Sequence, residues 1–271
     1  VTYDPDNKTI ATASEDQTAR IWDLETGNEI QKFEFTSIVS AVDFSPNGRY
    51  LAVATWERSA EIFDLGSLQS TEPLLQQSLS HDGAVYAVAF SPNGNYLLTG
   101  GEDGIARIWD ITQISEVYQF SHNNSIHDVT FSPDNRYIGT ASSDSTARIW
   151  DIQAGHEITR IRHHLPVHAL AFSPSGNYLA TGSEDFTTKI HSLRTEELIE
   201  QACQRLTRNL TEREWNYFIG DEPYQKTCEN LPYPEDPKIS IEQVTGAGKD
   251  ISQINQAAEL AYTVWSNAEV N

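Results

Sequence analysis

Asp4-Pro5, Ser45-Pro46, Ser91-Pro92, Ser132-Pro133 and Ser173-Pro174 stand 41, 46, 41 and 41 residues apart, and Trp22, Phe63, Trp109, Trp150 and His191 return at the same intervals. Two independent markers with one period make residues 1–192 a run of five repeats. A repeat of about 40 residues restricts the chain to folds that stack one supersecondary unit upon the next.

Inside each period the residue types describe an antiparallel sheet. An apolar alternating run (AVYAVAF, 84–90) meets a turn (SPNG), a second run (YLLTG), another turn (GEDG) and then IARIWD. Val, Ile, Tyr, Phe and Thr fill the runs, whereas Gly, Asn, Asp and Pro occupy the joints, where a positive or fixed φ is wanted. Short strands at this spacing, about four per unit, imply β-propeller blades and an all-β fold class.

The ARIWD strings at 19–23 and 147–151, the ARIWD at 106–110, and FSPNG, FSPDN and FSPSG after the first run closely resemble the WD-repeat family over residues 1–192. The resemblance implies a hydrogen-bonded tetrad in each blade, made of a His, a Ser or Thr, a turn Asp and the Trp. It maps onto His81, Thr99, Asp103 and Trp109, and onto His122, Thr140, Asp144 and Trp150, with 22 residues from His to Asp and six from Asp to Trp in both. The first blade supplies Thr12, Asp16 and Trp22. The fifth keeps His163, Thr181 and Asp185 but has His191 in place of Trp. The second has Phe35, Val53, Glu57 and Phe63, so apolar packing alone is expected to hold it.

Five blades are fewer than the seven-bladed ring that the family resemblance implies. The chain opens on VTYDP, within an inner strand, and contains no Met. It therefore reads as the C-terminal part of a longer protein, its first blade incomplete. An open arc would expose blade faces larger than the roughly 300–600 Å² apolar patch common on monomers. After TTKIHSL no outer strand follows. Leu198, Ile199, Ala202, Cys203 and Leu206 are instead spaced for a helix.

The remainder divides into a helical extension (193–230), a Pro-rich linker (231–238) and a terminal amphipathic helix region (239–271), in all a short α-helical tail. Thr211 and Glu214 form a capping box ahead of Trp215, Tyr217 and Phe218. LPYPEDPK interrupts regular structure. Asp250 caps a stripe of Ile251, Ile254, Ala258, Ala261 and Trp265, suited to packing on its own domain or docking on another chain. Residues 207–230 resemble a segment that follows the last blade in multidomain bacterial, commonly cyanobacterial, WD-repeat proteins. That resemblance implies an upstream nucleotide-driven switch, protein kinase or caspase-like peptidase.

The formal charge of −21, from 39 acidic and 18 basic residues, argues against nucleic acid as a partner, because phosphate binding needs a basic footprint. No run approaches 18 apolar residues and no charged leader precedes an apolar segment, so no membrane partner is expected. Two cysteines, Cys203 and Cys228, are too few for a disulfide framework and fit buried thiols in a reducing cytoplasm, with their pairing left open.

Catalytic and cofactor signatures are weak, and neither an enzyme nor a cofactor is expected. Gly246-Ala247-Gly248-Lys249 has Gln243 where a phosphate loop needs Gly and Asp250 where it needs Ser or Thr. HExxH, CxxC and G-x-S-x-G do not occur. Ser80-His81-Asp82 holds triad residue types, but adjacent residues of a strand turn do not converge on one proton path. His163, His164 and His168 lack suitably spaced co-ligands, so no metal is expected either.

What remains is a binding surface. In the family, ligands sit at the top of the ring, on the residue before the turn Asp and on an exposed residue early in the inner strand. The first set is here Glu15, Trp56, Glu102, Ser143 and Glu184; the second is Ser40, Tyr86, His127 and His168. Aromatics flanked by carboxylates suit a protein or peptide carrying Lys or Arg. The expected function is a non-catalytic protein–protein interaction scaffold, the sensor or docking end of a larger bacterial signalling protein. The competing expectation is the regulatory part of an enzyme whose catalytic domain lies upstream, the upstream domains of the parent chain then being the partner.

Overall fold

The computed structural model describes residues 1–67, 76–194 and the isolated positions 203, 204, 208, 209, 211, 228 and 231. The chain forms two compact units, Val1–Leu198 and Ile199–Asn271. Most of the second, including the helices expected around 195–206, 211–218 and 250–265 and the Gly246–Lys249 string, lies outside the described residues.

Among the described residues of the first unit there are nineteen strands. Blade 1 contains β1 (Thr2–Tyr3), β2 (Thr9–Ala13), β3 (Thr18–Asp23) and β4 (Glu29–Glu34). Blade 2 contains β5 (Val39–Phe44), β6 (Tyr50–Thr55), β7 (Ser59–Asp64) and β8 (Gln76–Ser80). Blade 3 contains β9 (Val85–Phe90), β10 (Tyr96–Gly101), β11 (Ile105–Asp110) and β12 (Ser115–Ser121). Blade 4 contains β13 (Ile126–Phe131), β14 (Tyr137–Ser142), β15 (Thr146–Asp151) and β16 (His156–Arg162). Blade 5 contains β17 (Val167–Phe172), β18 (Tyr178–Ser183) and β19 (Thr188–Ser192). Each blade is an antiparallel meander. Among the described residues four have four strands and the fifth has three, and positions 195–202, which follow it, lie outside the described residues.

The turn after each first strand shows why the sequence folds this way. In blade 2 Ser45 Oγ accepts the Tyr50 N–H at 2.8 Å, Asn47 Oδ1 accepts the Arg49 N–H at 3.0 Å, and Gly48 takes φ 68°. Gly94 and Gly176 repeat that left-handed position, and Asn135 and Asn7 fill it in blades 4 and 1. Asn is the non-Gly residue that tolerates this region best, so FSPDN and FSPNG are one turn.

First strands of successive blades lie side by side, and four apolar clusters form. Ala19, Ile21 and Phe33 of blade 1 close on Val42, Leu51 and Phe63 of blade 2. Ala60, Ile62 and Leu79 of blade 2 close on Val88, Leu97 and Trp109 of blade 3. Two further clusters join blades 3 to 4 and 4 to 5. Each cluster belongs to a junction and not to a blade.

Blade 2 corrects one expectation. Phe63 does pack on Phe33 (centroids 4.4 Å) and meets Phe35 edge-on at 6.2 Å, replacing the polar pair by an aromatic one. Polar ties hold it as well. Ser40 Oγ donates to the Val85 carbonyl at 2.6 Å, and Asp43 Oδ2 accepts the Phe90 N–H of blade 3 at 2.8 Å while Oδ1 accepts the Thr2 hydroxyl of blade 1 at 3.3 Å. Asp128 makes the same kind of link from blade 4 to the Leu170 N–H of blade 5, at 2.9 Å. Apolar packing alone leaves backbone N–H groups at the junctions unsatisfied, and these carboxylates supply the acceptors.

The cysteines correct a second expectation. Cys203 and Cys228 are joined by a disulfide, with Cα atoms 5.5 Å apart, so the free-thiol argument for a reducing compartment does not hold. Beside it, buried Asn209 mimics a strand partner: Oδ1 accepts the Cys228 N–H at 2.9 Å, and Nδ2 donates to the carbonyls of Cys228 (2.9 Å) and Leu231 (3.0 Å).

Burial pushes the Asp43 carboxyl up to about 6, opposed by the N–H of Phe90 and the hydroxyl of Thr2. A folded-state value above the unfolded one means that the anion is disfavoured by folding. The contribution is fully present below about pH 4 and lost as pH rises through 6. Asp43→Asn, which keeps an acceptor without the charge, should therefore be about 2 kcal/mol more stable than the wild type at pH 7.5, and the gap should close near pH 4. Urea unfolding of both proteins at the two pH values measures it; a gap that does not change with pH refutes the assignment.

Candidate functional site

Below the rim, a chain of hydrogen bonds runs through blade 4, and shorter versions run through blades 1, 3 and 5. In blade 4, Trp150 Nε1 donates to Thr140 Oγ1 at 2.9 Å, Thr140 Oγ1 lies 2.6 Å from His122 Nε2, and His122 Nδ1 lies 3.0 Å from Asp144 Oδ2. A carboxylate only accepts, so Nδ1 carries the proton, Nε2 accepts the Thr140 hydroxyl, and the imidazole is neutral. Burial holds His122 down to about 4, with Arg148 adding to the effect and Asp144 opposing it. Burial would raise Asp144, but the bonds from Thr146 and His122 outweigh it and set the carboxyl at about 2.

The other blades are partial versions. In blade 3, Trp109 Nε1 and His81 Nε2 meet Thr99 Oγ1 at 2.9 and 2.8 Å, but His81 Nδ1 faces the Leu79 carbonyl at 2.9 Å. Asp103 thus departs from its expected place: its carboxylate takes Arg107 Nη1 at 2.6 Å and the Ile105 N–H instead. In blade 5, His163 links Thr181 (2.9 Å) to Asp185 (3.3 Å), and His191 stands opposite Leu179, the register that Trp150 has opposite Ile138. In blade 1, Trp22 Nε1 donates to Thr12 Oγ1 at 3.0 Å, while Asp16 bonds Thr18 and Arg20.

That arginine was missed as a contributor. Arg20, Arg107 and Arg148, two residues before each Trp, bridge the turn Asp to a Glu on the outer strand: Glu29, Glu116 and Glu157, at 3.1, 3.3 and 3.4 Å. The turn carboxylates lie at 3.2, 2.6 and 2.7 Å from the guanidinium groups. The signal was present as an Arg followed nine residues later by Glu in three repeats. Glu61 and Lys189 break it in blades 2 and 5.

The rim itself is made by register shifts. Pairing in the first two strands jumps from Val39↔Thr55 to Ala41↔Ala54, from Gly100↔Ala87 to Gly101↔Val85, from Ile126↔Ser142 to Asp128↔Ala141, and from Val167↔Ser183 to Ala169↔Gly182. The residues skipped are Ser40, Tyr86, His127 and His168, the inner-strand set. A bulge leaves its extra residue unpaired and re-aims the side chain.

Three of these bulged side chains come together with residues of the turn set. Trp56 and Tyr86 meet at 6.0 Å, Tyr86 stacks on His127 at 5.8 Å and 9°, and His127 faces His168 at 4.4 Å. His127 Nε2 is 2.6 Å from Ser143 Oγ, and His168 Nε2 is 2.7 Å from Glu184 Oε1. Glu102 lies beside Tyr86 and accepts the Ala84 N–H at 3.1 Å; burial first, and that carboxylate second, raise the Tyr86 phenol. Ser40 stays apart, its hydroxyl turned to backbone carbonyls, and Glu15 is exposed on the blade 1 turn.

Chemically the rim offers π faces, imidazole nitrogens and carboxylates on a rigid support. His81 of the Ser80-His81-Asp82 string is engaged by Thr99, and Asp82 points to Arg107 at 3.7 Å. Among the described residues no cluster of three or more His, Cys, Asp or Glu is arranged to hold a metal ion, and no helix is long and apolar enough to cross a membrane.

Residues 1–23, 27–64, 73–110, 114–151 and 155–192 match the family model of the WD domain, G-beta repeat. A 62-residue stretch is 36% identical to eukaryotic translation initiation factor 3 subunit I of Phaeosphaeria nodorum, covering 23% of this chain and 19% of that protein. The small ribosomal subunit protein RACK1 of Drosophila melanogaster is 34% identical over 80 residues, 30% of this chain and 25% of that one. The serine-threonine kinase receptor-associated protein of Dictyostelium discoideum is 42% identical over 67 residues, 25% and 22% of the two chains. The matches thus span a quarter or less of these relatives.

Thr140→Val removes a fully buried hydroxyl without changing shape and strands both the Trp150 N–H and the His122 ring nitrogen. It should cost about 2–3 kcal/mol, whereas Thr181→Val, with one ring partner, should cost about 1–2 kcal/mol. Denaturant unfolding of the two variants checks the order, and equal losses would refute the tetrad accounting.

Proposed function

The chain belongs to the WD-repeat family, and from that premise we propose that it is a non-catalytic protein-interaction scaffold that binds a Lys- or Arg-bearing protein segment on the rim of blades 2–5. The carrying observation is the series of bulges, which turns Tyr86, His127 and His168 out of the sheet and into line with Trp56. Bulges beside a rigid ladder re-aim side chains, and fixed aromatic faces with nearby carboxylates attract guanidinium and ammonium groups. Trp56 is 49% exposed, and its ring meets Tyr86 on the rim.

The relatives are an initiation factor subunit, a ribosomal subunit protein and a receptor-associated protein; such names describe components of assemblies and support the scaffold reading. The finer reading, the docking end of a larger bacterial signalling protein, rests on the resemblance carried by residues 207–230.

Binding of a labelled Lys/Arg-rich peptide at about 150 mM salt, where diffuse attraction to an acidic protein is screened beyond about 8 Å, tests the proposal. Trp56→Ala changes no charge, so it should weaken the complex by roughly tenfold while leaving the melting temperature within a degree or two. Unchanged affinity would reduce the interaction to net charge. A large fall in melting temperature would make Trp56 a core residue and overturn its assignment.

A further inference from the structure

The two imidazoles at the blade 5 end of the rim are the closest pair of rings in the ladder. His127 and His168 face each other at 4.4 Å and 36°, one from β13 and one from β17. Each has a distinct second partner: Ser143 Oγ at 2.6 Å for His127, and Glu184 Oε1 at 2.7 Å for His168. Tyr86, from β9, covers the other face of His127. The charged groups that act on His127 are His168 and Glu184. The neighbouring Asp128 turns away to the Leu170 N–H, and Glu102 acts on Tyr86.

From this arrangement the geometry points to a proton-operated switch: the His127–His168 pair accepts a cationic side chain while both rings are neutral and turns it away once the pair is protonated. The inference rests on the rim-binding reading above and adds its regulation. Neutral imidazole faces and the Glu184 carboxylate attract a guanidinium or ammonium group. His168 Nε2 donates to Glu184 Oε1, so a proton taken up by that ring enters at Nδ1, and the imidazolium offsets the carboxylate's charge where the ligand's cation would sit. The ring centroids are 4.4 Å apart, so a charge on one ring opposes a charge on the other and the two rings do not take up protons independently. Burial, and after it the proximity of His168, already hold the His127 ring below the ordinary histidine value.

The sign follows from competition between like charges. Binding of a cationic peptide is full above about pH 7 and falls as pH drops through the histidine range. Reciprocity requires that bound peptide in turn depress the proton affinity of the pair.

The experiment uses the full chain and a fluorescein-labelled nine-residue peptide of alternating Lys and Arg, with anisotropy titrations from pH 7.5 to 5.5 at constant ionic strength. Wild-type affinity should fall by roughly tenfold or more across that range. His168→Gln should flatten that fall, and the double variant His127→Gln/His168→Gln should bind with an affinity that does not vary with pH. Ring-proton shifts of His127 and His168 should titrate at lower pH in the complex than in the free protein. If the peptide binds at pH 7.5 but equally well at 5.5, or if the double variant keeps the acid loss, the switch is refuted and rim binding survives. If the peptide does not bind at any pH, rim binding and the switch fall together.

Discussion

A sheet of four short strands has two apolar faces and no means of covering either by itself. That constraint organises this protein: its four buried clusters lie between blades, each assembled from the outer strands of one and the inner strands of the next. Stability is then a sum over junctions, and every blade is folded by its neighbours. The polar links follow from the same need. Where first strands run side by side, Asp43 and Asp128 reach across a junction to accept a backbone N–H that the sheet leaves unpaired.

The tetrad and its arginine annex solve a second problem in the blades that carry them, holding the outer turn against the second strand. One buried threonine hydroxyl accepts from Trp and donates to His, so its two bonds set the tautomer of the imidazole and, in blade 4, lock it to Asp144. The guanidinium of Arg148 then ties that carboxylate to Glu157 on the outermost strand. Because the histidine is kept neutral by burial, this scaffold sits below the acid range in which exposed histidines change charge.

Much of this was legible in the residues. The 41-residue interval and the turn strings identified five blades and their strand order, and the resemblance to the WD-repeat family implied the partners of Thr140, because each depends on positions within one repeat. Asn135 in place of Gly was readable too, since few side chains tolerate that backbone region. The ring ladder was half legible: Tyr86, His127 and His168 occupy one position of the repeat, but a linear pattern does not give the distance between blades. Arg107's capture of Asp103 and His81's turn to the Leu79 carbonyl were invisible, because two acceptors compete for one donor and the winner depends on fractions of an ångström.

The sequence by itself determined the unit: a meander whose alternation, turn residues and period are local properties of the chain. Only the tertiary structure decided what lies between units. It brought Cys203 to Cys228 across 25 positions and seated Asn209 beside them. It set His127 against His168, and it made Asp43 a bond among three blades. These are contacts between residues far apart in the chain, and their geometry follows from how sheets pack face to face, a quantity that no single repeat contains.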